Sequence, residues 1–326
     1  MLLSRAAENI YWAGRYLERA ESSARIIKVH TELFLDLPKS AGMGWTPLLA
    51  ITGATEQFDE LYGEADEESV VGFLLGDERN PGSIVSALAL ARENIRSTRT
   101  VFPREAWEIV SELHRRSSET SSGAVNRWSR IAWLDHVIAT NHRLRGLLEG
   151  TMCRDAASGF LRIGQLVERA DMSTRVLDVQ AGSLLGASGA LERFADVTWM
   201  AVLKSLAGYE TYRSQAYQLM SPEGVLRFVL QDPQFPRSIE HCLIEISQHL
   251  LEFRDHDATM AVCAATQTLL EETKVRTLQT ADLHDYVDAL QGQLIAIHAA
   301  LAATYFGGAM ATPVPAGQTQ TQLATA

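Results

Sequence analysis

One helix of this chain is written twice. Shifting the sequence by 150 places sets Gly14, Glu18, Arg19, Ala20, Ser23, Arg25 and Val29 on Gly164, Glu168, Arg169, Ala170, Ser173, Arg175 and Val179. Those seven identities fall within a window of twenty residues, where chance supplies about one. Acid meets acid at Glu21 and Asp171. The match resumes downstream. Trp45 aligns with Trp199, Phe73 to Asp77 with Phe228 to Asp232, and Pro81-Gly82-Ser83-Ile84 with Pro236-Arg237-Ser238-Ile239, the offset drifting only to 155. A chain patterned this way is expected to be all-α. It reads as an internally duplicated helical bundle of ten to twelve helices, with two pseudo-symmetric halves near 1–150 and 151–306.

Local patterning agrees with helices. Apolar residues recur at three- and four-residue spacing, and strand-like alternation is scarce. Thr46-Pro47, Asn80-Pro81 and Ser221-Pro222 each place a capping side chain before a proline at the first helical position. Pro103 and Pro236 also stand where helices should begin, and Asp282 is placed to cap the last one. Single helices are expected near 46–62 and 195–219, with a connector over Gly182 to Gly189. The Gly/Pro/Gln/Thr-rich tail over 307–326 has no apolar period and reads as disordered.

Charge narrows the partners. The formal net charge is −11, the wrong sign for nucleic acid or an anionic membrane surface. Cys153, Cys242 and Cys263 match no zinc spacing and read as buried, reduced thiols. The N-terminus reaches Glu8 without an apolar run, and Leu294 to Phe306 is too short to span a bilayer. A cytoplasmic protein without a membrane anchor is the expectation.

On a helical wheel Tyr11, Gly14, Glu18, Glu21 and Arg25 form one stripe, and Leu161, Gly164, Glu168, Asp171 and Arg175 form its counterpart. Arg19 and Arg169 fall about 100° from their glutamates, off that stripe. A glycine inside a helix costs about 1 kcal/mol relative to alanine, so its presence in both copies points to close backbone approach. An acid four residues before an arginine is the favoured orientation for an ion pair. Three readings of the stripe stay open. It is a polar seam joining the halves, or a cleft in which Glu18, Glu21, Glu168 and Asp171 hold a cationic group while Arg25 and Arg175 hold an anionic one, or a carboxylate metal site. The last is disfavoured, because Glu-x-x-His is absent and an arginine beside each acid pair opposes a dication. No metal and no cofactor is expected.

Other candidates are weaker. The Asp255-His256-Asp257 and Glu245/His249 groupings fit solvated helix faces. No nucleophile elbow, phosphate loop or dinucleotide fingerprint is present, so independent ATP binding is not expected. The six tryptophans read as core and seam anchors, and Arg92, Arg96 and Arg99 with Arg115-Arg116 as exposed helix charges.

The opening Leu3-Ser4-Arg5-Ala6-Ala7-Glu8-Asn9-Ile10-Tyr11-Trp12-Ala13-Gly14-Arg15-Tyr16-Leu17-Glu18-Arg19-Ala20-Glu21 closely resembles the alpha-E family, a bacterial all-helical family named for its Glu-Arg motif. Leu166-Val167-Glu168-Arg169-Ala170-Asp171 and Asn80-Pro81-Gly82-Ser83-Ile84 fit the same family, and the resemblance covers about residues 1–306. It implies a partner of a circularly permuted ATP-grasp ligase, and often of a transglutaminase-like cysteine peptidase. ATP-grasp enzymes activate a carboxylate as an acyl phosphate and join it to an amine, so the implied setting is a peptide- or amide-forming system. Glu18, Arg19, Glu168 and Arg169 carry over as a signature and not as catalysts. A stand-alone acyl- or peptidyl-transfer enzyme using the paired carboxylates and a purely structural scaffold are the alternatives.

Overall fold

The structure is a computed structural model that describes residues 3–38, 44–181, 194–216, 220–275 and 280–307. The connector and the tail beyond Gly307 lie outside the described residues. Among the described residues the chain is all-helical, with fourteen α-helices and no strand. No described helix is long and apolar enough to cross a membrane.

Two long helices form the centre. Helix α1 (Ser4–Asp36) is buried at every position from Ile10 to Ala24, and α8 (Ala156–Val176) at every position from Ile163 to Ala170. A helix buried all round is normally apolar all round. These two carry arginines and glutamates there, so those charges have to be paired. Helix α1 closes a ring with α5 (Ile84–Ser97), α6 (Arg104–Thr120) and α7 (Arg127–Thr151). Helix α8 closes a second ring with α12 (Ile239–Leu250), α13 (Asp257–Glu272) and α14 (Thr280–Tyr305). The rings meet where α1 crosses α8. Short helices reach across the join. Helix α2 (Thr46–Thr52), which follows α1 in the chain, packs on α8, and α9 (Ala195–Ser205), which follows α8, packs on α1.

The helix count exceeds the expected ten to twelve because two segments break. The span near 46–62 divides into α2 and α3 (Thr55–Leu61) at Gly53, whose φ of 66° ends a helix in the left-handed conformation. The span near 195–219 divides into α9 and α10 (Tyr209–Ala216) at Ala207, also left-handed with φ of 54°. Helix α4 (Glu67–Gly76) and α11 (Pro222–Gln231) complete the set.

Capping follows the sequence in part. Ser221 caps α11 through the Gly224 N–H, as its Ser-Pro signature implies. Asn80-Pro81 instead forms a turn, in which the Asn80 side chain accepts from Gly82 and donates to the Phe73 carbonyl, and Ser83 caps α5. Ser238 caps α12 in the same way, so that helix begins at Ile239, three residues after the expected start at Pro236. Thr46 is itself helical and makes no cap, because Trp45 takes the flanking position. Cys242 and Cys263 are buried but Cys153 is exposed, and Trp128 is 94% exposed rather than a core anchor.

Candidate functional site in the glutamate–arginine seam

The crossing of α1 and α8 sets the site. A Cβ on Gly14 would overlap the Leu161 carbonyl oxygen, and a Cβ on Gly164 would overlap that of Tyr11. Both glycines are therefore required for the helices to touch, backbone on backbone. This contact brings the two Glu-Arg pairs within reach of each other.

They pair crosswise. Arg19 Nε donates to Glu168 Oε1 at 2.5 Å, while Arg169 donates from Nε to Glu18 Oε1 at 3.0 Å and from Nη2 to Oε2 at 2.9 Å. Each motif glutamate is met by the other motif's arginine. Wheel angles put Arg19 and Arg169 off the stripe, yet a guanidinium on a long stem reaches across a close helix crossing, so they are central to the seam. Arg25 and Arg175 pair within their own helices, with Glu21 at 2.7 Å and Asp171 at 3.0 Å, as the four-residue spacing implies.

Three arginines that the repeat did not single out complete the seam. Arg15 donates to Glu168 at 2.7 Å. Arg145, on α7, reaches Glu18 at 2.6 Å and Glu21 at 3.0 Å. Arg237, just before α12, contacts Glu18 and Glu21 at 2.8 Å each. His142 Nε2 stands 3.1 Å from Glu21 Oε1. The aligned residue of Arg15 is Gln165 and that of Arg237 is Gly82, so neither had a copy to flag it.

Burial and charge decide what these acids can do. Glu18 and Glu21 are fully buried and Glu168 is 1% exposed. Burial alone would raise the Glu18 pKa, but Arg169, Arg237 and Arg145 outweigh it and hold the group at about 2. Glu168 likewise sits at about 2, burial being overcome by Arg19 and Arg15. Glu21 is driven below the ordinary carboxylate range against its burial, by Arg237, a hydrogen bond from His142, Arg145 and Arg25. All three are pinned anions whose oxygens are taken by guanidinium groups, and arginines beside them oppose a dication. Asp171, Arg175 and Arg25 are only partly buried, at the edges of the seam. A separate surface group, Asp178, His284 and Asp288, brings one possible metal ligand atom from each residue within 4.8 Å of the others. There His284 already bridges to Asp178 at 2.7 Å.

Comparison with known proteins finds the same motif in an all-helical family. A family model named Alpha-E, described as a predicted alpha-helical domain with a conserved ER motif, matches residues 2–306. An uncharacterized protein of Mycobacterium tuberculosis strain H37Rv is 25% identical over 264 residues, and one of Mycobacterium bovis is 24% identical over 261. In both, the aligned region is 73% of this chain but 28% of the relative, so the chain spans little more than a quarter of their length. No solved structure matches the chain. With a family model covering nearly all of it and both Glu-Arg pairs locked together at its centre, this chain belongs to the Alpha-E family.

Proposed function

We propose that this chain is a helical partner subunit of a circularly permuted ATP-grasp ligase in a peptide- or amide-forming system, working in the cytoplasm and positioning an amino-acid or peptide substrate. The observation that carries this choice of role is the state of the seam carboxylates. A general acid or base works best with a pKa near the operating pH. Glu18 and Glu168 at about 2 have no proton to give and little basicity to take one. That argues for positioning over stand-alone acyl or peptidyl transfer. Partnership is supported by the relatives, in which the matched segment belongs to a much longer polypeptide. Substrate contact falls to the arginine side of the seam, since arginines already occupy the acids. Arg25 and Arg175 keep 16% and 17% of their side chains exposed at matching positions, where a carboxylate or acyl phosphate could be met. The reciprocal glycine contacts and crossed ion pairs support a domain of two duplicated halves, 1–150 and 151–306.

Co-purification with a circularly permuted ATP-grasp ligase from the same organism tests the role. A stable complex, or a changed ligase rate on adding this chain, is expected. No complex together with no rate change would sink it. A transglutaminase-like peptidase is the second partner to try in the same assay. Turnover of an aminoacyl donor by the isolated chain, lost in Glu18→Gln, would favour the enzyme reading instead.

A further inference from the structure

Four arginines converge on two carboxylates at the Glu18/Glu21 end of the seam. Arg145, Arg169 and Arg237 contact Glu18, while Arg25, Arg145 and Arg237 contact Glu21. A guanidinium does not lose its proton in a protein, so the cluster holds two more positive charges than negative ones. It does so inside a chain whose formal net charge is −11. Arg162 stands in the same field. Its charged form is disfavoured first by burial and then by Arg169 and Arg145, and the carboxylate it meets is that of Glu149, 3.9 Å away on a largely exposed side chain.

Two donors in this cluster are unused. The Nε–H groups of Arg25 and Arg145 are buried and reach no acceptor among the described residues. Beside them lies His142, three residues before Arg145 on α7, half-exposed, with Nε2 3.3 Å from Arg25 Nη2. Buried charge without compensation is costly, and so is a buried donor without an acceptor. A single bound group with two negative charges and several acceptor oxygens answers both. The Asp171 end has no counterpart of Arg237, since the aligned residue is Gly82.

We propose that Arg25, His142 and Arg145, backed by Arg237 and Arg162, form a binding site for a dianionic phosphate group, as carried by a phosphate ester or an acyl phosphate. A monocarboxylate neutralises half of the excess, whereas a phosphate dianion neutralises all of it and accepts from several arginines at once. This inference rests on the positioning role proposed above. It is measured on the isolated chain and the partnership by co-purification, so either can fail while the other stands.

The test titrates the full chain with inorganic phosphate, against chloride at equal ionic strength, by calorimetry and by the His142 ring resonance. Saturable binding with a shift of the His142 signal is expected. Arg145→Gln removes a charge-assisted donor and should weaken phosphate binding about tenfold or more. His142→Ala alters a half-exposed side chain, so it should fold and bind more weakly. Phosphate acting no differently from chloride on the wild type overturns the proposal, whether or not Arg145→Gln folds. Undiminished binding in folded Arg145→Gln or in His142→Ala also overturns it, and malonate binding as tightly as phosphate overturns the phosphate assignment.

Discussion

Glu168 shows how a buried carboxylate in this seam is held. Arg15 and Arg19 approach it from one helix while it projects from another, and it is 1% exposed. Glu168→Gln leaves two guanidinium groups facing a neutral amide. Truncating one partner of a buried ion pair typically costs about 3–5 kcal/mol, so urea denaturation should show a loss of that order. An unchanged midpoint would mean that the seam is solvated. Part of this was readable in the sequence. The Glu21/Arg25 and Asp171/Arg175 pairs follow from spacing along one helix. Arg145 and Arg237 were not readable, because they lie 127 and 219 residues from Glu18 and no local pattern reports so distant a contact.

Two glycines govern how closely α1 and α8 approach. Gly14→Ala sets the helix propensity of alanine, worth about 1 kcal/mol in its favour, against a methyl group that overlaps the Leu161 carbonyl. Overpacking of a tight core commonly costs about 1–3 kcal/mol. The net effect should be destabilising, and Gly164→Ala should match it, as chemical denaturation will show. The recurrence of glycine in both helices announced this contact. The break after α9 was not announced, because Ala207 is an ordinary helix former held left-handed only by its surroundings. Ala207 is exposed and its conformation costs an L-residue roughly 1–2 kcal/mol, so Ala207→Gly should raise the melting temperature.

Acid should unfold the whole molecule through the seam. Glu18 and Glu168 titrate at about 2 in the fold, against an ordinary value of 4.5 when free. As pH falls below 4.5 the unfolded chain takes up protons that the folded chain refuses, so stability drains away. The contribution of these groups is complete above that value and lost progressively as pH approaches 2. Denaturation midpoints measured across this range should fall steeply, and a flat profile would contradict the pinned-anion state. The all-helical class was legible in the sequence at this scale, whereas the interlocking of α2 with α8 and of α9 with α1 was not, since both are set by tertiary packing alone.

The crossed ion pairs also bear on how the chain comes together. Arg19 meets Glu168 across 149 residues and Arg169 meets Glu18 across 151. The Arg19–Glu168 and Arg169–Glu18 pairs cannot form until both motifs have been synthesised, and contacts this distant in sequence close slowly. A ribosome-bound first half would hold Glu18 with Arg145 but without Arg169 and Arg237, so the seam closes only once α8 and the start of α12 have emerged. Residues 1–150 and 151–306 made as separate polypeptides should each fail to fold alone and recover structure when co-expressed, because Glu168 is the carboxylate that Arg15 and Arg19 meet and Glu18 the one that Arg169 and Arg237 meet.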